Sequence, residues 1–483
     1  MGKTRVTLAY GRHGLDIDLP ADRTTVIEPK YLPGLADEPA ALQKAMREPH
    51  NSEPLRQRVP ATARVGISVC DITRATPTRR ILPVILSEID HVDPANVTIF
   101  IATGTHRGNT QEELERMLGA DIVRQYRVVN HDAFQLDQHR YLGQTSSGGP
   151  IWVDADFLDH DFKILTGFIE PHLFAGFSGG PKMIAPGLAA IETVLHLHGA
   201  PMIAHPNAIW GITYGNPMHD AIREIASVVK PDFTLDVTLN KDHEITKVFA
   251  GELFAAHKLG CAFVKETAMQ AVERPYEVVV TTNSGYPLDL NLYQAVKGMS
   301  AANQIVADGG AIVAAAECSD GLPEFGNYKD ILKLGDSPDA LLDLITSDGF
   351  HMHDQWQVQV QAQIQKRAQV HLHTDGLTDE QISQAHLERC LDVCLVARDG
   401  VDARDDRDLL HVCVAQERGE DLALVVHRAF SFLFGVSGDH RAGQLTLTHT
   451  TQQSQLGGTV AARLLVQVLL DRRQLGDHRE IAA

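Results

Sequence analysis

The stretch RVGISVCDITR (residues 64–74) decides the fold class, because an apolar run passes directly into a polar cluster. Arg64–Cys70 has the length and composition of a buried strand, and Asp71–Arg74 follows it without a break. Thr78–Ile89 then has helical periodicity, and Val97–Ala102 is a second apolar run. This strand–helix–strand alternation predicts a parallel sheet with helices on both faces.

The alternation continues along the chain and begins again after Pro275. We therefore predict an α/β fold of two Rossmann-like domains with parallel-rich sheets and an active-site cleft between them. Residues 1–273 are expected to form an N-terminal catalytic and cofactor-binding domain, completed by a C-terminal helix at about 455–483. Residues 274–454 are expected to form a C-terminal α/β domain. The further predicted elements are helices at 109–126, 217–229, 252–272 and 290–302, and strands at 162–168, 233–239, 276–281 and 311–316.

The charge and composition of the chain exclude several classes of function. The net charge is −19 over 483 residues, which argues against nucleic acid as a partner. No apolar run approaches the ~20 residues of a membrane span, and the first residues lack the apolar core of a secretion signal. The six cysteines are scattered, so a disulfide framework is not expected. We expect a cytoplasmic protein.

Two histidines are candidates for acid–base chemistry because each follows a predicted strand. His106 ends the run TGTH (103–106), and His172 follows the strand at 162–168. Inversion at a carbon that bears a hydroxyl needs a base on each face, and the pKa of histidine suits that work. The alternative for either residue alone is a hydrogen-bonded structural histidine.

The loop EPHLFAGFSGGPK (residues 170–182) combines three glycines, Ser178 and Lys182 before a helix. Backbone N–H groups and a lysine in such a loop can hold a phosphate, although the spacing is not that of a P-loop. The alternative is a tight connection with a solvated lysine. We call residues 170–182 the glycine loop.

Further along the chain, Tyr293 and Lys297 lie four residues apart on one predicted helical face, where they could grip a carboxylate. Arg74 offers a planar fork for the same purpose. The alternative is an exposed lysine beside a half-buried tyrosine. His196 and His198 point in different directions on a helix, so a metal here would need most of its ligands from a cofactor.

Together these motifs resemble the lactate racemase family that depends on a nickel-pincer nucleotide, a family of 2-hydroxy-acid racemases and epimerases. The matches run in order from about residue 64 to 370. They are Asp71-x-Thr73-Arg74, Gly104-Thr105-His106, Glu170-Pro171-His172 with the loop to Lys182, Gly215-Asn216-Pro217, Tyr286-Pro287-x-Asp289-x-Asn291-Leu292-Tyr293-Gln294-x-x-Lys297, Glu317-Cys318-x-Asp320-Gly321 and Asp354-Gln355-Trp356.

The resemblance implies a cofactor and a set of roles. The cofactor is a pyridinium-3,5-dithiocarboxylate-type mononucleotide carrying Ni²⁺, attached to Lys182, with His198 as the protein ligand of the metal. His106 and His172 match the catalytic acid–base pair. The remaining matches are the cofactor-binding residues Asp71, Phe174, Gly176, Ser178 and Gly179, and the substrate-binding residues Arg74, Tyr293, Gln294, Lys297 and Trp356.

The implied activity is inversion at C2 of a lactate-like 2-hydroxy acid, by hydride transfer to and from the cofactor through a 2-keto acid. The expected partners are a small 2-hydroxy-acid substrate and the enzymes that make the cofactor. A larger sugar acid or a malate-like acid as substrate, or a non-catalytic nucleotide-cofactor-binding protein, are the alternatives. Residues of about 391–448 exceed the family's usual second domain, and neither their role nor the oligomeric state is predicted.

Overall fold

The computed structural model describes residues 2–324 and 326–394, together with the backbone of two later strands. The strands are β1 (Lys3–Leu8), β2 (Leu15–Pro20), β3 (Thr24–Ile27), β4 (Val65–Cys70), β5 (Val97–Ala102), β6 (Arg127–Asn130), β7 (His139–Gln144), β8 (Pro150–Asp154), β9 (Phe162–Phe168), β10 (Pro171–His172), β11 (Gly176–Phe177), β12 (Phe233–Leu239), β13 (Ile245–Gly251), β14 (Met269–Val272), β15 (Tyr276–Thr282), β16 (Val306–Ala315), β17 (Gln369–His373), β18 (Glu388–Arg389), β19 (Val412–Ala415) and β20 (Leu424–His427).

The α-helices of the described residues are α1 (Glu38–Arg47), α2 (Leu55–Arg58), α3 (Thr78–Glu88), α4 (Gln111–Leu118), α5 (Ala120–Gln125), α6 (Ala155–Leu158), α7 (Ile191–Leu197), α8 (Ala200–Ile203), α9 (Pro217–Val229), α10 (Leu253–Thr267), α11 (Leu292–Ala302), α12 (Tyr328–Ile331), α13 (Pro338–Ile345), α14 (Gln355–Arg367) and α15 (Asp379–Gln384).

The first sheet has the strand order β13-β12-β9-β4-β5-β6, and all of its pairings are parallel except that of β12 with β13. All of β4 is buried, as its apolar sequence predicts for a central parallel strand. The chain moves outward from β4 through β5 to β6 and then returns to β9 on the other side. Such a reversal opens a crevice at the carboxyl ends of the strands, where ligands bind in sheets of this kind.

The second sheet has the order β18-β17-β16-β15-β19-β3, and all five of these pairings are parallel. Its edge strand β3 comes from the start of the chain. The hairpin β1–β2 packs on the same sheet, because Leu8 and Leu19 share an apolar cluster with Val280. The predicted fold class is confirmed, and the predicted domain boundary at 273/274 stays a prediction.

Two predicted helices are shorter in the structure. The helix predicted over 109–126 is interrupted at Gly119, whose φ of 100° is incompatible with a helix and separates α4 from α5. The helix predicted over 252–272 ends at Thr267, because Met269–Val272 form β14 and pair with β20. Pairing with a strand distant in sequence therefore overrides the local helical pattern.

The late segment of the chain is described only in part. Strands β19 and β20 lie in this segment. The terminal helix predicted at about 455–483 lies outside the described residues. In the described part of the chain, no helix has the length and apolarity needed to cross a membrane.

Asp289 joins the start of the chain to the second sheet. This fully buried carboxylate accepts hydrogen bonds from the backbone N–H of Gly11, at 2.7 Å, and of Glu317, at 3.0 Å. The hairpin turn and the loop after β16 are therefore both fixed to the segment that leads into α11.

We expect Asp289→Ala to lower the free energy of unfolding by about 2–4 kcal/mol, because it leaves two backbone donors without an acceptor. Urea denaturation measures the change. Asp289→Asn is the matched control, since it keeps one acceptor oxygen and should lose less. Equal stability of the Ala variant and the parent chain would contradict this role.

Candidate active site

Three strands of the first sheet deliver polar side chains to the same edge. Asp71 directly follows β4, His106 follows the neighbouring β5, and His172 lies in β10, just after β9. Since β5, β4 and β9 are adjacent and parallel, their carboxyl ends meet at one edge of the sheet. The sequence prediction that these residues share a site rests on the same argument.

Asp71 fixes the tautomer of His106. The Nδ1–H of His106 donates to Asp71 Oδ2 at 2.8 Å, and the hydroxyl of Thr73 donates to Asp71 Oδ1 at 2.7 Å. Burial alone would raise the pKa of Asp71, but the hydrogen bond and charge of His106, with the charge of Arg74, bring it below its usual value. Asp71 is therefore ionised. In the neutral tautomer that this hydrogen bond selects, the lone pair of His106 is on Nε2, which has no partner among the described residues.

His172 is held in the other tautomer, with its proton on Nε2. Its Nδ1 faces the backbone N–H groups of Phe174 and Ala175, at 3.4 and 3.2 Å, so the proton of the neutral ring is on Nε2. Burial and the positive charges of nearby side chains, first Lys182 and then Arg74, hold the pKa of His172 well below its usual range. One imidazole therefore offers a lone pair at Nε2, and the other offers an N–H.

The glycine loop presents Lys182 from a short 3-10 turn at Gly180–Met183. A Cβ on Gly176 would lie 2.1 Å from the carbonyl oxygen of Ile212, so only glycine fits there. The hydroxyl of Ser178 donates to the carbonyl of Phe168 and accepts from the N–H of Glu170, both at 2.9 Å. Ser178 thus stabilises the loop through hydrogen bonds to its own backbone region. The predicted contacts of Gly176, Ser178 and Gly179 with a cofactor stay predictions.

Lys182 is an unusual lysine because of its surroundings. Burial, assisted by the positive charge of Arg74, lowers the pKa of Lys182 to about 7, and Lys297 acts in the same direction. Glu170 opposes this shift without cancelling it. A large fraction of Lys182 is therefore a neutral, nucleophilic amine near pH 7.

His198 stands at the end of α7 among aromatic rings. Its ring centroid lies 5.3 Å from that of Phe174 and 4.8 Å from that of Trp356. Its Nδ1–H donates to the carbonyl of Val194 at 2.9 Å, which leaves the Nε2 lone pair available to a metal. Burial lowers the pKa of His198 to about 4, so the ring is neutral, as a metal ligand must be.

Four of the predicted substrate-binding residues lie on helices that pack on the second sheet. These are Tyr293, Gln294 and Lys297 on α11 and Trp356 on α14. Trp356 Nε1–H donates to the hydroxyl oxygen of Tyr293 at 3.1 Å, so the proton of that hydroxyl remains available to another acceptor. Burial raises the pKa of Tyr293, so the hydroxyl stays protonated. Lys297 lies one turn after Tyr293 and close enough to lower the pKa of His172. Gln294 follows Tyr293 in the first turn of α11.

Three further histidines near the site were missed by the sequence analysis. His353 packs edge-on against Trp356, with ring centroids 5.2 Å apart. His219 and His257 lie behind the glycine loop and bond to its backbone. No local spacing indicates these residues, because each reaches the site only through the packing of distant segments.

Comparison with known proteins identifies the family. The chain matches the lactate racemase N-terminal domain family over residues 10–211 and the lactate racemase C-terminal domain family over residues 271–406. It is 35% identical over 395 residues to the lactate racemase of Thermoanaerobacterium thermosaccharolyticum, an alignment that covers 80% of this chain and 92% of that protein. This chain belongs to the lactate racemase family. The resemblance inferred from the motifs is confirmed, and with it the prediction of an isomerase.

Other family members and solved structures agree. The lactate racemase of Lactiplantibacillus plantarum is 34% identical over 389 residues, which cover 77% of this chain and 91% of that enzyme. The solved lactate racemase apoprotein from T. thermosaccharolyticum superposes with a TM-score of 0.81 at 32% identity, covering 88% of this chain and all of that structure. A Thermotoga maritima protein shares the fold, with a TM-score of 0.60 at 19% identity, covering 82% of this chain and all of that structure.

We expect an amine-acylating reagent to modify Lys182 with a pH midpoint of about 7, because burial and neighbouring cations favour the neutral amine. An unperturbed lysine would have a midpoint near ~10.4. Peptide mass spectrometry after brief acylation at a series of pH values measures the midpoint. Arg74→Gln removes one of the cations and should move the midpoint upward. A midpoint near 10 in both chains would refute this account of Lys182.

Proposed function

We propose that this chain inverts the configuration at C2 of lactate, or of a closely similar 2-hydroxy acid, with a nickel-pincer nucleotide attached to Lys182. The observation that carries the proposal is that the charge of Arg74 acts on Asp71, which holds His106, and also on His172 and Lys182, so that these groups share one site. The names of the two relatives, both lactate racemases, support lactate as the substrate.

The residues present fit the implied cofactor. A lysine amine of which about half is neutral near pH 7 suits attachment to a thiocarboxylate as an amide-type bond. His198 offers one neutral nitrogen, and the described residues contain no group of three or more His, Cys, Asp or Glu side chains placed to hold a metal. A nickel ion here would therefore take its remaining ligands from the cofactor. When bound, the nickel-pincer nucleotide supplies the hydride acceptor and donor at C2.

The cations of the cleft would bind the substrate carboxylate. Arg74 and Lys297 both act on His172 and Lys182, so their charges converge on one region in a chain whose net charge is −19. The hydroxyl of Tyr293, held by Trp356, adds a neutral donor. Ionic and hydrogen-bonding contacts to both carboxylate oxygens fix the orientation of C2.

The two histidines would handle the hydroxyl proton. His106 Nε2 accepts the proton of the substrate hydroxyl, and the carboxylate of Asp71 stabilises the imidazolium that results. His172 offers its Nε2–H as a hydrogen bond to an oxygen on its own side. It transfers a proton only as the imidazolium, whose second proton comes from solvent. Attachment at Lys182 removes one of the charges that lower the pKa of His172, and a bound carboxylate offsets those of Arg74 and Lys297. Both changes favour a proton-donating His172 and return of the proton to the inverted alcohol.

We expect the chain, once loaded with the cofactor and nickel, to convert either enantiomer of lactate to the racemate, as followed by chiral chromatography. The C2 hydrogen moves as hydride, so substrate deuterated at C2 should keep its deuterium in ordinary water. Lys182→Ala cannot attach the cofactor and is the control. Loss of the C2 deuterium to solvent would overturn the mechanism, and no turnover on any 2-hydroxy acid in an NMR panel would overturn the function.

We expect His106→Gln and His172→Gln each to lower kcat by about 10²–10⁴-fold, because glutamine forms hydrogen bonds but does not transfer protons. Since the equilibrium constant of racemisation is one, kcat/KM must fall equally in both directions. Steady-state rates from each enantiomer test both statements. Turnover close to that of the parent chain in either variant would remove that histidine from the acid–base role.

The enzymes that make the cofactor remain proposed partners.

A further inference from the structure

Two buried histidines behind the glycine loop have no part in the proposed mechanism. His219 comes from α9 and His257 from α10, and their side chains are 1% and 5% exposed. The rings stack nearly parallel, with centroids 5.6 Å apart and an interplanar angle of 12°. The rings of residues on two different helices therefore stack behind the loop.

Each ring donates one hydrogen bond to the backbone of the glycine loop. His219 Nδ1–H donates to the carbonyl of Ala175 at 2.8 Å, and His257 Nε2–H donates to the carbonyl of Ser178 at 2.8 Å. A carbonyl oxygen only accepts, so the proton must be on Nδ1 in His219 and on Nε2 in His257. The two residues thus use different ring nitrogens for the same purpose.

The packing around the pair leaves the loop little freedom. A Cβ on Gly180 would lie 2.5 Å from the ring of His257, so the turn that carries Lys182 sits directly against that ring. Asp236 accepts from the N–H of Gly180 at 3.0 Å. The backbone next to Lys182 is consequently held by both His257 and Asp236.

Burial and nearby positive charges keep both rings neutral. Burial lowers the pKa of His257 to about 4, and burial together with the charges of His257 and Arg223 holds that of His219 well below its usual range. Cys261, whose sulfur lies 3.7 Å from His257 Nδ1, is a protonated thiol because burial raises its pKa. The pair therefore supports the loop without adding charge beside Lys182.

We propose that His219 and His257 are positioning residues that hold the glycine loop so that the Lys182 amine is fixed in its buried place, ready for attachment of the cofactor. The role in cofactor attachment rests on the proposed function, whereas the hydrogen bonds of the two histidines do not depend on it. Loss of either hydrogen bond would let the loop loosen and expose the amine to water. The reactivity of Lys182 in the chain without cofactor then reports the position of the loop.

The test exchanges the position of the donor nitrogen. The amide nitrogen of asparagine lies where Nδ1 of histidine lies, and that of glutamine lies near Nε2. We expect His219→Gln and His257→Asn to raise the pH midpoint of Lys182 acylation by about 0.7 unit, which is about a fivefold change in the ratio of neutral to protonated amine and corresponds to one hydrogen bond. His219→Asn and His257→Gln keep the donor in place and should leave the midpoint near that of the parent chain.

His160 provides a matched control, because it is 7% exposed and its Nδ1–H donates to the carbonyl of Asp156 at 2.7 Å, outside the glycine loop. His160→Asn and His160→Gln should leave the Lys182 midpoint unchanged, with thermal unfolding confirming that every variant is folded. If one variant does not fold, the pair at the other histidine decides. Unchanged midpoints in all four variants, or equal shifts in matched and mismatched ones, would overturn the proposal.

The readout uses acetic anhydride on the chain without cofactor, so it does not depend on racemisation. If only the mismatched variants shift the Lys182 midpoint and lactate is not turned over, the proposed function is rejected and the positioning role is kept. If lactate is turned over and the matched and mismatched variants do not differ, the positioning role is rejected and the proposed function is kept. In the loaded enzyme, the mismatched variants should show less attached cofactor by intact mass, with an unchanged KM for lactate.

Discussion

The site depends on the parallel pairing of β9 with β4 in the middle of the first sheet. Because β5 leaves β4 on one side and β9 returns on the other, the loops after these strands diverge and leave room between them. Asp71, His106 and the glycine loop all take their places from this reversal. An antiparallel β9 would send Glu170–Lys182 to the opposite edge of the sheet, away from Asp71.

Burial and charge act together within this crevice. The chain has a net charge of −19, yet the cleft gathers Arg74, Lys182 and Lys297 around His172. Such a concentration of cations is costly without an anion and lowers the pKa of the lysine and the histidine alike. The same arrangement attracts a small carboxylate against the overall field of the protein and makes the lysine nucleophilic. Binding and reactivity thus come from one electrostatic arrangement.

The sequence predicted the elements whose causes are local. The strand at 65–70 and the strand end before His106 both follow from composition and spacing over a few residues. The break at Gly119 and the end of α10 at Thr267 escaped prediction, because a turn geometry and a pairing with β20 decided them. The internal hydrogen bonds of Ser178 and the stacked pair of His219 and His257 were equally hidden. The histidine pair arises where segments some forty to eighty residues apart come into contact, as its bonds to Ala175 and Ser178 show.

The place of β3 has a consequence for the order in which the molecule can assemble. This strand, at Thr24–Ile27, pairs with β19 at Val412–Ala415, so nearly the whole chain lies between the two partners. A protein emerging from the ribosome can complete the first sheet once residue 251 is available, but the edge formed by β3 has to wait for β19. Until then β3 lacks its neighbour in the second sheet, and contacts of such sequence separation form slowly. This strand is thus synthesised before β4 and yet is among the last to reach its native pairing.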